Sequence, residues 1–438
     1  VVNGVNLDNQ DFGSTREDGL RRLKRFGALG VAIGLMGIMT LPTQAVASHA
    51  GTLMIQVSNP MLVGANCNPE TFKGCRSGES MRFMAPTLNV HKGDTLTFEF
   101  PSFHTASLLP TTADFLAFRA ANTGGVGKPY SLLINDTDDT TEEGVAADKP
   151  AVKANPAVAF PSIGGAPADC GAATNPCSYD GTAVVNSGLP LGSPPDTFSV
   201  TITADAGKSF WLICFVHTHM NLRVNIVADT AAPTTQADVD AAKASLIATD
   251  QEWADETDAK LINARSSHIT ASGQKVYDVS VGYDNHFANL NGFYPKKTSV
   301  PKGATVRFHF EQQIYEDHTT TMPAPSAFNL FDEFFVPMCD PDGDAGAGPD
   351  TSDTPGPTGP CGGDFSKAEI DITSRVMHGI GDGVFTGAND LEHSGLRGAQ
   401  FGLTNFDMKF NARSSENGWK VFCMLHPMEA RIVVKPTT

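Results

Sequence analysis

Leu96, Phe98 and Phe100 alternate with Thr95, Thr97 and Glu99, and runs of this kind recur along most of the chain beyond residue 50. Successive side chains of a strand point to opposite faces, so each run predicts a short β-strand with one face buried. The pattern also repeats at long range. "PTLNVHKGDTLTFEF" (Pro86 to Phe100) is matched by "YPKKTSVPKGATVRFHF" (Tyr294 to Phe310), each a strand, a Lys-Gly turn and a second strand. Later in each half, "DTFSVTITADAGKSFWLIC" (Asp196 to Cys214) is matched by "TNFDMKFNARSSENGWKVFC" (Thr404 to Cys423). Phe198, Val200 and Ile202 share one face in the first, as do Phe406, Met408 and Phe410 in the second. Short strands separated by turn residues predict an all-β chain made of two tandem β-sandwiches.

One segment breaks the period of two. "PTTQADVDAAKASLIATDQEWADETDAKLINA" (Pro233 to Ala264) places Val239, Ala242, Leu246 and Trp253 at helical spacing behind Thr235, a residue suited to capping a helix start. It reads as a helical connector, giving a first domain over 48–229, a linker over 230–270 and a second domain over 271–438. Each half also carries a long insertion. The first includes the acidic "NDTDDTTEEG", and the second, "CDPDGDAGAGPDTSDTPGPTGPC", has aspartates whose spacing matches no EF-hand loop. A solvated, disulfide-closed loop is expected there.

Residues 1–47 add a targeting expectation. The basic cluster Arg21 to Arg25, the apolar run Phe26 to Leu41 and the small residues Ala45 and Ala47 predict a secretory signal peptide and a periplasmic or extracellular destination. About 390 residues would follow the cut, enough for two domains of ordinary size. Asp and Glu number 48 against 31 Lys and Arg, for a net charge of −17. Such a surface disfavours nucleic acid and anionic membranes and favours a basic protein partner. Of the 8 cysteines, six fall as local pairs, Cys67 with Cys75, Cys170 with Cys177 and Cys339 with Cys361. In an exported chain these predict three loop-closing disulfides and leave Cys214 and Cys423 as free thiolates.

Those two cysteines open the chemically dense stretches "CFVHTHM" (Cys214 to Met220) and "CMLHPM" (Cys423 to Met428). Each is preceded far upstream by a His-Thr pair, with His104 in the first half and His318 in the second. Two imidazoles and a thiolate with a weak axial thioether form the donor set of blue copper. Copper(I) favours soft sulfur and copper(II) tolerates nitrogen, so a rigid site between these preferences changes oxidation state with little movement. The candidate ligands are His104, Cys214, His217 and Met220 for one type 1 copper, and His318, Cys423, His426 and Met428 for a second. The bland alternative is that these are core residues of emptied sandwiches; the same order of four ligand types occurring twice argues against it.

In these residues the chain resembles the cupredoxins, the plastocyanin and azurin superfamily. The first loop, Cys-x-x-His-x-x-Met, is similar to the compact ligand loop of amicyanin. The second is one residue shorter, and aligning "MNLRV" with "MEARI" sets Met220 opposite Met428. The resemblance implies Greek-key sandwiches and an electron-transfer protein rather than a substrate-converting enzyme. It would exchange single electrons with a redox partner such as a basic c-type cytochrome. Copper nitrite reductases and multicopper oxidases also resemble paired cupredoxin domains, so a two-domain copper oxidoreductase is the alternative. Such enzymes add a copper held by further histidines, a pattern the sequence lacks. A copper-handling protein with one functional site is a third reading. Transfer between the two centres is expected to need sandwiches that pack face to face.

Other candidates read as structural. His219 is expected to be a loop residue beside the metal, exposed or steadying the loop. His286, His309, His378 and His393 are expected to be solvated or satisfied in the core. Met81 and Met84, in "MRFMAP", are expected to fill the core rather than to bind copper(I).

Overall fold

The computed structural model describes residues 51–135, 152–190, 196–310, 316–323, 334–339, 368–372 and 374–436. The alternating runs form the strands of two matching halves. In the first half these are β1 (Thr52–Val63), β2 (Arg76–Phe83), β3 (Leu88–Val90), β4 (Thr95–Phe100), β5 (Ser107–Leu108), β6 (Asp196–Ile202), β7 (Ser209–Ile213) and β8 (Asn221–Ile226). In the second they are β9 (Lys275–Asp284), β10 (Ala288–Tyr294), β11 (Lys297–Pro301), β12 (Thr305–His309), β13 (Thr321–Met322), β14 (Asn405–Phe410), β15 (Trp419–Phe422) and β16 (Glu429–Lys435).

Both halves order their strands alike. One layer runs β6-β4-β1-β2 in the first half and β14-β12-β9-β10 in the second; the facing layers run β3-β8-β7-β5 and β11-β16-β15-β13. In each half the first strand lies parallel to the fourth, β1 to β4 and β9 to β12, which is the crossed connection of a Greek key. The cores match in detail. Phe83 and Phe98 meet edge to face at 6.4 Å, and Phe293 and Phe308 do the same at 6.3 Å.

The halves are joined by more than the linker. β2 pairs antiparallel with β10, setting Ser77 against Asn291, Gly78 against Leu290 and Glu79 against Asn289, so the two outer layers fuse into one sheet. Gly78 is required at this seam, because a Cβ there would stand 2.7 Å from the carbonyl oxygen of Asn289. Strands of the two insertions also pair with each other, Val152–Ala154 against Ala368–Ile372.

Two helices matter for the argument: α1 (Phe115–Asn122) and α2 (Gln236–Leu261). α2 is the expected connector. Thr235 caps it, and Asp238 returns a bond to the Thr235 backbone, satisfying two amides that a helix start leaves bare. Its buried face differs from the apolar stripe read in the sequence. Val239 and Ala254 are buried, but so are Asp250, Thr257 and Asp258. The reason lies on β2, where Arg82 meets Asp250 at 2.6 Å and Arg76 pairs with Asp258. Trp253 and Leu261 complete the packing over Met61, Ala288, Leu290 and Tyr294.

Cys67–Cys75 and Cys170–Cys177 are disulfide-bonded, while Cys214 and Cys423 are free and buried. The expected Cys339–Cys361 bridge and the signal peptide lie outside the described residues, as do 136–151 of the first insertion and 340–367 of the second. Among the described residues no helix is long and apolar enough to cross a membrane.

Candidate metal centres

The first cluster forms where β7 ends and β8 begins. Cys214 follows β7 directly, Met220 precedes β8 directly, and the Cys214 amide donates to the Met220 carbonyl at 3.2 Å, closing the loop between them. His104 arrives from the segment before β5, which pairs with β7. Thr105 ties the two segments together. Its amide points at Cys214 Sγ at 3.4 Å, and its hydroxyl accepts from the Phe215 amide at 2.8 Å. The His217 amide adds a second donor to Sγ at 3.3 Å. Behind the loop Phe215 stacks on Tyr130 at 4.8 Å and on Phe118 of α1 at 6.4 Å.

The second cluster repeats this with one residue fewer. Cys423 again donates to the methionine carbonyl, of Met428, at 3.2 Å, and the Thr319 amide points at Cys423 Sγ at 3.3 Å. The missing residue is absorbed in the turn. Met220 donates back three residues to the His217 carbonyl at 2.9 Å, whereas Met428 donates back only two, to His426, at 2.7 Å. A two-residue closure is a γ-turn, whose central residue needs a φ near −75°. Pro427 occupies that centre and its ring supplies such a φ.

The donor atoms converge in both halves. His104, Cys214 and His217 each bring a ligand atom within 4.8 Å of the others, and so do His318, Cys423 and His426. Cys214 Sγ lies 3.7 Å from His104 Nδ1, and Cys423 Sγ lies 3.8 Å from Nδ1 of both His318 and His426. The paired Nδ1 atoms stand 2.8 Å apart in the first cluster and 2.9 Å in the second. Two imidazole nitrogens and a thiolate sulfur that converge in this way can share a proton or give their lone pairs to a cation, and the donor set fits a metal ion. Copper is the metal that this soft and nitrogenous set suits. Met220 and Met428 are buried in the same apolar clusters as Cys214 and Cys423.

The far sides of the imidazoles are held by carboxylates. His104 Nε2 lies 2.7 Å from Glu79 Oε1, and Glu79 also accepts from Ser58 and Ser102. His217 Nε2 lies 3.0 Å from Oε2 of Glu316, and His426 Nε2 lies 2.8 Å from Oε1 of the same residue. One buried carboxylate therefore stands between the two clusters. Burial opposes charge throughout, yet the pairing wins. Glu79 raises His104 to about 9, Glu316 raises His426 to about 10 and His217 well above its ordinary value. The imidazoles in turn hold both thiols and Glu316 well below their ordinary ranges, against burial.

Beside this bridge is a cavity of about 460 Å³ lined by Glu79, Asp317, Leu133, Phe401 and the faces of His217 and His426, among others. Asp317 is pushed well above the usual carboxylate range by burial and by neighbouring Glu316.

Glu79, Glu316 and the cavity were invisible in the sequence reading. The one available signal was "EDH", an acidic pair immediately ahead of His318. His219 is buried rather than exposed, and burial with the charge of His217 lowers its pKa well below the ordinary value. His393 is core-satisfied, 2.8 Å from the Thr321 hydroxyl. His309 is less solitary than expected, sharing Asp278 with His268 at 2.7 and 2.9 Å. Met81 and Met84 are buried in the protein.

Each half is thus a Greek-key sandwich with two histidines and a cysteine gathered at one rim, the arrangement that the resemblance of its motifs to the cupredoxins implies. No family model matches the chain, and neither does any curated protein. Among solved structures it is similar to the blue copper oxidase of Nitrosomonas europaea, at 9% identity and a TM-score of 0.16, covering 87% of this chain and 85% of that one. It is also similar to the copper-containing nitrite reductase of Thermus scotoductus, at 13% identity and a TM-score of 0.17, covering 89% and 69%. The copper nitrite reductase of Nitrosomonas europaea gives 10%, 0.17, 88% and 93% for the same quantities. These likenesses are too slight to carry an argument; the strand order and the ligand clusters stand on the chain's own geometry.

Proposed function

We propose that the protein is an exported copper redox protein with one type 1 centre per half. His104, Cys214, His217 and Met220 would hold one, and His318, Cys423, His426 and Met428 the other. Of the readings open from the sequence, the oxidoreductase has the better support. The observation that carries it is the cavity against the His217 and His426 rings. A simple carrier presents a ligand imidazole to solvent, but here the Nε2 atoms of both rings are bound internally to Glu316, and the His217 side chain is only 9% exposed.

When bound, copper supplies a one-electron couple. The chain's residues do the rest. Thr105 and Thr319 direct amides at the thiolates, and the carboxylates fix the imidazoles. The apolar walls exclude water and admit a small substrate with an apolar body. Glu79, Glu316 and Asp317 at the polar end favour one that carries a hydrogen-bond donor. The net charge of −17 supports a basic protein, such as a c-type cytochrome, as the second electron partner. The two disulfides support export.

The test is to load the protein with copper, measure metal per chain, and follow bleaching of the blue band by aromatic donors of rising size and by a basic cytochrome. The proposal expects a sharp size limit among the small donors. Slow bleaching by all of them, beside fast exchange with the cytochrome, would establish the carrier reading instead.

A further inference from the structure

We infer that Glu316 is a shared positioning residue that couples the two metal centres, one carboxylate fixing a ligand imidazole in each half. The inference rests on the reading of the two clusters as metal sites. Glu316 is 7% exposed and precedes His318 by two residues, so it belongs to the second half, yet Oε2 reaches across to His217 while Oε1 takes His426. Asn289, on the seam strand β10, donates to Oε2 at 3.2 Å and holds the carboxylate in place.

The internal repeat shows that this is a departure from symmetry. The position two before His104 is Ser102, and the partner of Asn289 across the seam is Glu79. The first half thus keeps its acid on the seam strand, where it serves His104 alone; the second half has an amide there and moves the acid to 316, where it serves both halves. An imidazole whose Nε2–H is committed to a carboxylate presents Nδ1 to its cluster as a lone pair. Glu316 sets that tautomer in both clusters at once. Its single negative charge also favours a cation in either, so a cation bound in one reduces what the other gains.

The experiment titrates copper(I) into metal-free protein with one cluster at a time disabled, C423S to isolate the first and C214S to isolate the second. Adding E316A to each should lower the affinity of the remaining cluster about 10–100-fold, the usual loss when a ligand's hydrogen-bond partner is removed. E316Q preserves shape but can accept from only one imidazole, so it should weaken one cluster and spare the other. Ring ¹⁵N spectra of the copper(I)-loaded proteins should show slowly exchanging Nε2–H protons on both His217 and His426 in the parent, fast exchange on the remaining ring in E316A, and one ring of each kind in E316Q. A first cluster whose affinity and His217 Nε2–H exchange are untouched by E316A and E316Q overturns the inference. Failure of the parent protein to bind copper at either cluster overturns the metal-site reading instead.

Discussion

Glu79 and Asn289 face each other across the β2–β10 seam, and from this one register pair the side chains reach both clusters, Glu79 to His104 directly and Asn289, through Glu316, to His217 and His426. The seam is therefore part of the support for both sites, and its integrity can be tested directly.

Gly78 stands one residue from that pair. In G78V the new side chain meets the Asn289 carbonyl within a rigid sheet, and overpacking of this kind costs about 1–3 kcal/mol. Urea unfolding should show a lowered midpoint. An unchanged midpoint would mean that the halves separate there without cost.

Arg76 and Asp258 join β2 to α2, with the Asp258 side chain only 2% exposed. In R76A the carboxylate is left buried without its cation, a loss of about 3–5 kcal/mol. D258N with R76M, which removes both charges, should recover much of the loss. The comparison of the three unfolding curves separates pairing from packing.

Cys214 and Cys423 are each the only thiolate of their cluster. C214S and C423S should each remove one copper and a share of the blue band while far-UV circular dichroism stays the same. A C423S protein that keeps its full colour and copper would make the second sandwich structural.

Metal binding should also depend on pH with a defined sign. His104, raised to about 9, and His426, raised to about 10, carry protons in the metal-free protein near neutrality, and a metal must displace them. Apparent affinity should climb by up to about tenfold per pH unit for each displaced proton, then flatten above those values. The same raised pKa values stabilise the metal-free fold at pH below the ordinary histidine value of 6.5, and that contribution is lost as pH rises through about 9 and 10. Proton release on titrating copper in weak buffer is the direct measurement.

Leu396 lines the cavity and is not one of the donor residues. L396W should fill part of that space and raise KM for small aromatic donors, with copper content and cytochrome exchange unchanged. Equal effects on both reactions would place substrate elsewhere.

Much of this was legible in the sequence because it is local or periodic. Phe98 and Phe308 announce their strands through alternation with polar neighbours, and the Cys-x-x-His spacing keeps each thiol and imidazole in one loop. What escaped has no period. Nothing in the sequence marks Asp250 and Asp258 as buried; the arginines that β2 sets opposite them account for it. Glu316 escaped for a similar reason, since its two partners are brought to it only by the joining of the halves.

That joining has an evolutionary corollary. A duplicated domain ordinarily keeps the option of being copied, lost or shuffled alone, because its edges are finished. Here β2 and β10 each finish the other. Either half expressed by itself would end in a bare strand, with unpaired amides and carbonyls inviting another chain. The doubled protein is thus a closed unit, in which neither copy can be discarded without uncovering the rim of the one that remains.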